Sequence, residues 1–321
     1  MLIQEDVPIV KSYDEIGTSG VALAHSDVLE FLKTVNKPIA KLIVTSPPYN
    51  IGKSYEKKMR FEDYLGWQKK VLIECKRILL PGGSLCWQVG NYVEVGEVFP
   101  LDAYFYEIIK NDLGMKLRNR IIWRFGHGLP NHNRFAGRYE TILWFTLDDC
   151  YTFNLDVVRV PCKYPGKRHH KGVKKGMPSC DPRGKNPTDM WDPTYTWDPA
   201  PDWEGGVWDI PNVKANHPEK IGKHPCQFPI ELAERLILAL TNEGDLILDP
   251  FIGTGTSAIA AVLHNRKAIG IDKDEEYIKL SKERILQAMR GELKRRILGT
   301  PIYVPKGTEK VAKPPLEWLK K

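Results

Sequence analysis

The 321-residue chain contains no apolar run approaching the roughly 18 residues that a membrane-spanning helix requires, so bilayer insertion is not expected. Met1 leads into a polar, acidic stretch, residues 2–6, rather than a basic region followed by an apolar core; no secretory signal is read there and the expected compartment is the cytoplasm. Cysteine is sparse: the six residues Cys75, Cys86, Cys150, Cys162, Cys180 and Cys226 form no CxxC pair, which suits reduced thiols better than a disulfide framework. No internal repeat is visible either. What the chain does have is a 42% hydrophobic content, enough for a full core, and nine tryptophans, which argue against disorder. A formal net charge of +7 and a pI near 8.9 favour a polyanionic partner, a weak preference by itself.

Strand-like and helical patterns alternate along the chain. Residues 21–24 read as a strand, 27–35 as a helix and 39–45 as an apolar strand ending at a proline pair. Over 61–80 the residues Leu65, Val71, Leu72, Cys75, Ile78 and Leu79 recur at helical spacing, and Pro81-Gly82-Gly83 is expected to stop that helix before strand 84–89. A helix follows at 101–111, then strands 117–123 and 140–145, suited to antiparallel pairing. Periodicity disappears from 154 to 223, where prolines and glycines accumulate. It resumes with helix 229–240, strand 245–248, helix 256–264, strand 267–271 and helix 274–287. This alternation implies an α/β fold, a mostly parallel sheet with helices on both faces. The expected division is a first half over 1–153, an irregular insert over 154–223, a second half over 224–296 and a basic, peripheral tail over 297–321.

Two turns at strand ends carry the chemistry. Thr45-Ser46-Pro47-Pro48-Tyr49-Asn50 follows a buried strand, at the carboxyl end where open α/β sheets bind ligands. The prolines fix the backbone and remove amide donors, so the carbonyl of Pro47 and the hydroxyl of Ser46 are available as rigid acceptors. Such a turn suits an amine whose lone pair is delocalised into a ring, and Tyr49 offers a flat face for an extruded base. Read blandly, the same residues are a proline-rich turn capped by serine. The second turn, Asp249-Pro250-Phe251-Ile252-Gly253-Thr254-Gly255-Thr256, lies between a strand and a helix, where glycine permits close backbone approach to a cofactor. It has neither the lysine of a P-loop nor the dinucleotide-binding spacing, which disfavours phosphates. Asp272 ends the next strand, where an acid commonly takes ribose hydroxyls; the competing reading is a helix N-cap, for which Asp274 is an equal candidate. Together these residues describe an adenosine-bearing ligand without phosphates.

Ser46-Pro47-Pro48-Tyr49 and Phe251-Ile252-Gly253-Thr254-Gly255 resemble the catalytic and cofactor motifs of the DNA amino-methyltransferases of bacterial restriction-modification systems, and their order, catalytic first, resembles the β class. The resemblance spans most of the chain. It implies a circularly permuted Rossmann-like fold, S-adenosyl-L-methionine as cofactor, double-stranded DNA as substrate and a possible cognate restriction endonuclease as partner. Asp27, in Ala24-His25-Ser26-Asp27, would lie near the cofactor adenine. Phe228, in the segment His224-Pro225-Cys226-Gln227-Phe228-Pro229, would pack against the cofactor, with Asp249, Phe251, Gly253, Gly255, Thr256 and Asp272 completing its site. Residues 121–145, with Asn133-Arg134-Phe135 and Tyr139-Glu140, resemble the segment lining the target-base pocket. In that family serine at the first catalytic position usually accompanies N4-cytosine methylation and aspartate N6-adenine methylation, so Ser46 points to cytosine, with adenine the alternative.

The insert carries a dense basic stretch, Lys163, Lys167, Arg168, Lys171, Lys174 and Lys175, expected to track DNA phosphates; a solvated basic loop is its plain reading. Trp191, Trp197, Trp203 and Trp208 suit packing of a small subdomain better than base contacts. Other readings are weaker. Pro225-Cys226-Gln227 resembles the nucleophile motif of carbon-5 methyltransferases, but there the cofactor glycines come first. Asn131-His132-Asn133-Arg134 as a nuclease fragment, and Cys162, His169, His170 and Cys180 as a zinc set, lack regular ligand spacing. An RNA methyltransferase, or a binding module that has lost catalysis, remains open on the same fold.

Overall fold

The computed structural model describes residues 13–15, 20–53, 56–125, 131–160, 162, 164–191, 210–214, 217–221 and 226–300. Among the described residues the strands and α-helices are β1 (Tyr13–Glu15), β2 (Val21–His25), α1 (Val28–Thr34), β3 (Ala40–Thr45), α2 (Phe61–Ile78), β4 (Leu79–Val89), β5 (Asn91–Glu94), β6 (Glu97–Pro100), α3 (Leu101–Glu107), β7 (Lys116–Arg124), β8 (Tyr139–Thr146), α4 (Leu155–Val158), β9 (Met190–Trp191), α5 (Ile230–Leu240), β10 (Leu246–Asp249), α6 (Thr256–Leu263), β11 (Lys267–Asp272) and α7 (Glu275–Met289). Nine strands form one sheet in the order β1-β2-β11-β10-β3-β4-β8-β7-β9, while β5 and β6 make a separate hairpin. From β2 through β4 the pairings are parallel; β4–β8 and β8–β7 are antiparallel, as the sequence suggested for the latter pair.

Alternation along each strand sends side chains to two cores. Ala22, Ala24, Ile43, Leu85 and Trp87 pack with Phe31, Leu32, Leu72, Cys75 and Phe105 of α1 to α3. Val21, Leu23, Leu42, Val44 and Cys86 pack with Leu236, Ile237, Ile259, Ile278 and Ile285 of α5 to α7. The sheet is thus covered on both faces, which a parallel sheet needs. Its switch point lies between β3 and β10: from β10 the chain crosses to β11 on one side, and from β3 to β4 on the other. The turns after β3 and β10 therefore leave the same sheet edge side by side, although about 200 residues separate them.

Three expectations are corrected. Pro81-Gly82-Gly83 does not stop α2, which ends at Ile78; the three residues lie inside β4, at a register shift against β3. Gly82 has φ +69°, and a Cβ there would stand 2.7 Å from the Cys150 carbonyl oxygen, so the glycine serves a crowded bulge. The helix expected at 101–111 turns π-helical over Ile108–Asp112. Cys162 and Cys180 are paired rather than free, with Cα atoms 6.6 Å apart. Backbone bridges Val160–Lys185 and Arg168–Pro178 draw the two arms of that loop together.

The described part of the insert is stitched to the body. Met190 and Trp191 pair with Ile122 and Trp123 of β7. The indole N–H of Trp123 donates to the carbonyl of Ile210 at 2.8 Å, and the Asn154 amide donates to the carbonyls of Leu238 and Thr241 behind α5. Trp197, Trp203, Trp208 and Lys163 lie outside the described residues, as does most of the basic tail. Residues 295–299, which span the end of the second half and the start of the tail, are docked on α5: Arg295 and Arg296 pair with the buried Glu234 and Glu231, and the Gly299 amide donates to Glu231. No helix of the described residues is long and apolar enough to cross a membrane.

Candidate active site

The turns after β3 and β10 open on one cavity of about 610 Å³. Ser46, Pro47, Pro48 and Tyr49 form part of its wall; Phe251, Gly253, Thr256 and Asp272 form another part, joined by Asp27 and Phe228. Ten residues expected in the site from sequence are therefore brought together. Asp249 and Gly255, expected with them, do not line it.

Asp249 is 1% exposed and its carboxylate is fully engaged. It accepts from the Thr45 hydroxyl at 2.6 Å, from the Phe251 amide at 3.0 Å and from the Ser257 hydroxyl. Thr45 precedes Ser46, so this buried acid ties the first turn to the second and to the start of α6. Gly255 sits at φ +83° before α6, where a Cβ would press on Ser281 at 3.1 Å; its role is backbone shape and helix packing.

The first turn is clamped from two sides. The Pro48 carbonyl accepts from the Tyr64 hydroxyl at 2.8 Å and from the Gln68 amide at 3.3 Å, both on α2. Asn50, left-handed at φ 61°, exchanges two hydrogen bonds with the Met59 backbone, while Glu56 accepts from the amides of Asn50 and Ile51. The Ser46 hydroxyl is 2.9 Å from the Tyr49 hydroxyl, which donates to Glu140 on β8 at 3.2 Å. Tyr49 is thus held by its hydroxyl as well as its ring. Burial, then the adjacent Glu140 charge, keeps its phenol protonated well beyond the ordinary range.

On the opposite wall, Asp272 accepts from the Gly253 amide at 3.0 Å and from the Asp274 amide at 2.9 Å, and burial raises its carboxyl above the usual range. The N-cap of α7 is Asp274, whose carboxylate accepts from Glu276, so Asp272 remains at the cavity. Asp27 does both jobs: one oxygen caps α1 by accepting from Leu29 and Glu30, and the residue also faces the cavity. Phe251 stands 5.7 Å from Trp67, ring centre to ring centre, and 6.2 Å from Trp87.

Sequence reading missed Trp67, Tyr64 and Tyr277, which line the cavity from α2 and α7. On an amphipathic helix they are indistinguishable from core residues. Cys226 also lines the cavity, close enough to Tyr49 to act on its phenol. Lys167, Arg168, Lys171, Lys174 and Lys175 lie away from the cavity wall on a loop closed by the Cys162–Cys180 pair, all exposed. Ser179 and Arg168 fasten its arms, through the carbonyls of Lys167 and Gly176, leaving Lys171, Lys174 and Lys175 near its tip. Among the described residues no three His, Cys, Asp or Glu converge as a metal site.

Comparison with known proteins agrees with this architecture. A family model described as DNA methylase, for N6 and N4 methyltransferases, matches residues 40–283. The Type II methyltransferase M.BglII of Bacillus subtilis is 43% identical over 258 residues, 80% of this chain and 66% of that protein, so the chain spans just under two thirds of that relative. The DNA adenine methyltransferase YhdJ of Escherichia coli (strain K12) is 31% identical over 84% of each chain. Among solved structures, TTHA0409 of Thermus thermophilus, complexed with S-adenosyl-L-methionine, superposes with a TM-score of 0.56 at 28% identity, covering 84% of this chain and 96% of that one. The chain belongs to the DNA methylase family of N6 and N4 amino-methyltransferases.

Proposed function

We propose that this protein is a site-specific DNA methyltransferase of a restriction-modification system, which transfers a methyl group from S-adenosyl-L-methionine to the exocyclic N4 amine of a cytosine flipped out of duplex DNA. The observation that carries this reading is the shared cavity walled by Ser46–Tyr49 on one side and Phe251–Asp272 on the other. The residues present fit the cofactor. Asp27 and Asp272 offer carboxylates for hydroxyl and ammonium groups, and Phe228, Phe251 and Trp67 offer aromatic faces for adenine and a cationic sulfonium. When bound, the cofactor supplies an activated methyl group; no metal is called for.

The chain's own work is positioning. Two acceptors, the Ser46 hydroxyl oxygen and the Pro47 carbonyl, take hydrogen bonds from the target amine and favour its pyramidal, nucleophilic form. Tyr49 lies against the base, and the tie between Thr45 and Asp249 fixes the distance between amine and cofactor walls. Lys167, Arg168, Lys171, Lys174 and Lys175, with Lys163 beside them in sequence, contact phosphates and hold the duplex. A cognate endonuclease is the partner such an enzyme implies.

Ser46 supports cytosine. The likeness to YhdJ, named a DNA adenine methyltransferase, favours N6-adenine as the second reading. Mass spectrometry of nucleosides from duplex DNA incubated with the protein and labelled cofactor separates them. N4-methylcytosine is expected; N6-methyladenine would overturn the base assignment alone, and methylation of RNA but not DNA would overturn the substrate.

A further inference from the structure

Ser46 belongs to a half-buried chain of hydrogen bonds whose direction is decided at its far end. The Ser46 and Tyr49 hydroxyls are 2.9 Å apart, and either can donate to the other. The Tyr49 hydroxyl reaches Oε2 of Glu140 at 3.2 Å, and the same oxygen accepts from the side-chain amide of Gln88 at 2.7 Å. Gln88 on β4 and Glu140 on β8 share a sheet face, since Gln88 pairs with Ile142 and Val89 with Thr141. The ring of Tyr49 reaches between them because Gly90 has no side chain: a Cβ there would lie 3.1 Å from its Cε2 and 3.5 Å from Glu140.

A hydroxyl has one proton, and an ionised carboxylate has none. With Glu140 ionised, Tyr49 must spend its proton on Glu140, so Ser46 must spend its own on Tyr49. What remains on Ser46, facing the cavity, is a lone pair. An exocyclic amine has protons to donate, so this direction is productive and the reverse places a serine proton against an amine proton.

We infer that Glu140 is a positioning residue that sets the polarity of the Ser46–Tyr49 hydrogen bond, so that Ser46 presents an acceptor to the target amine. The inference rests on the proposed amino-methyltransferase reading. Glu140 touches neither amine nor cofactor and acts through Tyr49. Burial raises its carboxyl above the ordinary range, opposed by the bonds from Gln88 and Tyr49 and by the positive charge of Lys214; among the described residues the Cys226 thiol also acts on Tyr49. Protonation of Glu140 frees the chain to reverse, so turnover is expected to fall on the acid side.

The test compares Glu140→Gln with Glu140→Ala in steady-state methylation of duplex DNA at saturating substrate across pH, alongside calorimetric cofactor affinity. In Glu140→Gln the Gln88 amide selects the carbonyl oxygen for the accepting position, so kcat should stay within about threefold of wild type and its acid limb should flatten. In Glu140→Ala kcat should fall roughly 10- to 100-fold with cofactor affinity unchanged. In a Tyr49→Phe background, Glu140→Ala should change kcat no further. Loss of kcat in Glu140→Gln as severe as in Glu140→Ala, or an unchanged kcat in Glu140→Ala, would overturn the polarity role while leaving the enzyme a methyltransferase. A wild type that methylates no DNA would overturn the proposed function and this inference with it.

Discussion

Replacing Asp249 by asparagine should make the protein less sensitive to pH without loosening its site. Oδ1 of Asp249 accepts from Thr45 and Phe251, and Oδ2 from Ser257. An asparagine can keep the first two through its carbonyl oxygen and donate to the Ser257 hydroxyl, which accepts as readily as it donates. What changes is the charge. Burial raises the Asp249 carboxyl from its ordinary 3.8 to about 6, against the pull of its hydrogen bonds. A folded value above the unfolded one means that protonation favours the fold: that stabilisation is full below 3.8 and is lost as pH rises through about 6. At about 1.36 kcal/mol per tenfold the total loss is about 3 kcal/mol, of which roughly 1.4 kcal/mol falls between pH 5 and pH 8. Urea unfolding of wild type and Asp249→Asn at those two pH values measures it, and the difference between the two proteins cancels other titrating groups such as Glu219. Asparagine should gain on wild type by roughly 1.4 kcal/mol as pH rises. Parallel pH dependences would refute the argument. Asp249→Ala, which strands an amide and two hydroxyls, should cost about 2–5 kcal/mol at pH 5, and roughly 1.4 kcal/mol less at pH 8 because alanine has no carboxyl to titrate.

Ser46→Ala should lower turnover about 100-fold with calorimetric cofactor affinity retained, and a near-normal rate would remove the hydroxyl from the mechanism. Gly270→Ala puts a Cβ 2.6 Å from Cγ1 and 2.9 Å from Cβ of Ile252, so the turn that carries Gly253 must shift. Cofactor affinity should drop by about tenfold or more while DNA binding survives, and unchanged affinity would show the turn to be compliant. Reversing Lys171, Lys174 and Lys175 to glutamate should weaken DNA binding and flatten its dependence on salt, with cofactor affinity untouched; an unaltered salt slope would leave the loop solvated and idle.

Much of this molecule is written locally. Alternation and helical spacing set the order of strands and helices, because each pattern depends on neighbours within a few residues. Ser46 and Gly253 were legible for the same reason: each sits in a short run whose backbone chemistry is its own. Partners far apart in the chain were not legible. Asp249 read as a cofactor ligand, and only the fold shows its carboxylate spent on Thr45, 204 residues away. Glu140 read as part of a base-pocket segment, while its bond to Tyr49 spans 91 residues. Glu231, Glu234 and Arg235 are charged residues of α5, yet all three are buried, because Arg295 and Arg296 arrive from the far end of the chain to pair with the acids. The pairing of Cys162 with Cys180 needed the two arms of the basic loop to meet. Residue order along the chain dictates which local elements form and which turns hold reactive groups. Folding in three dimensions dictates which buried charge or hydroxyl each group faces, since a hydrogen bond depends on a separation of about 3 Å in space and not on distance along the chain.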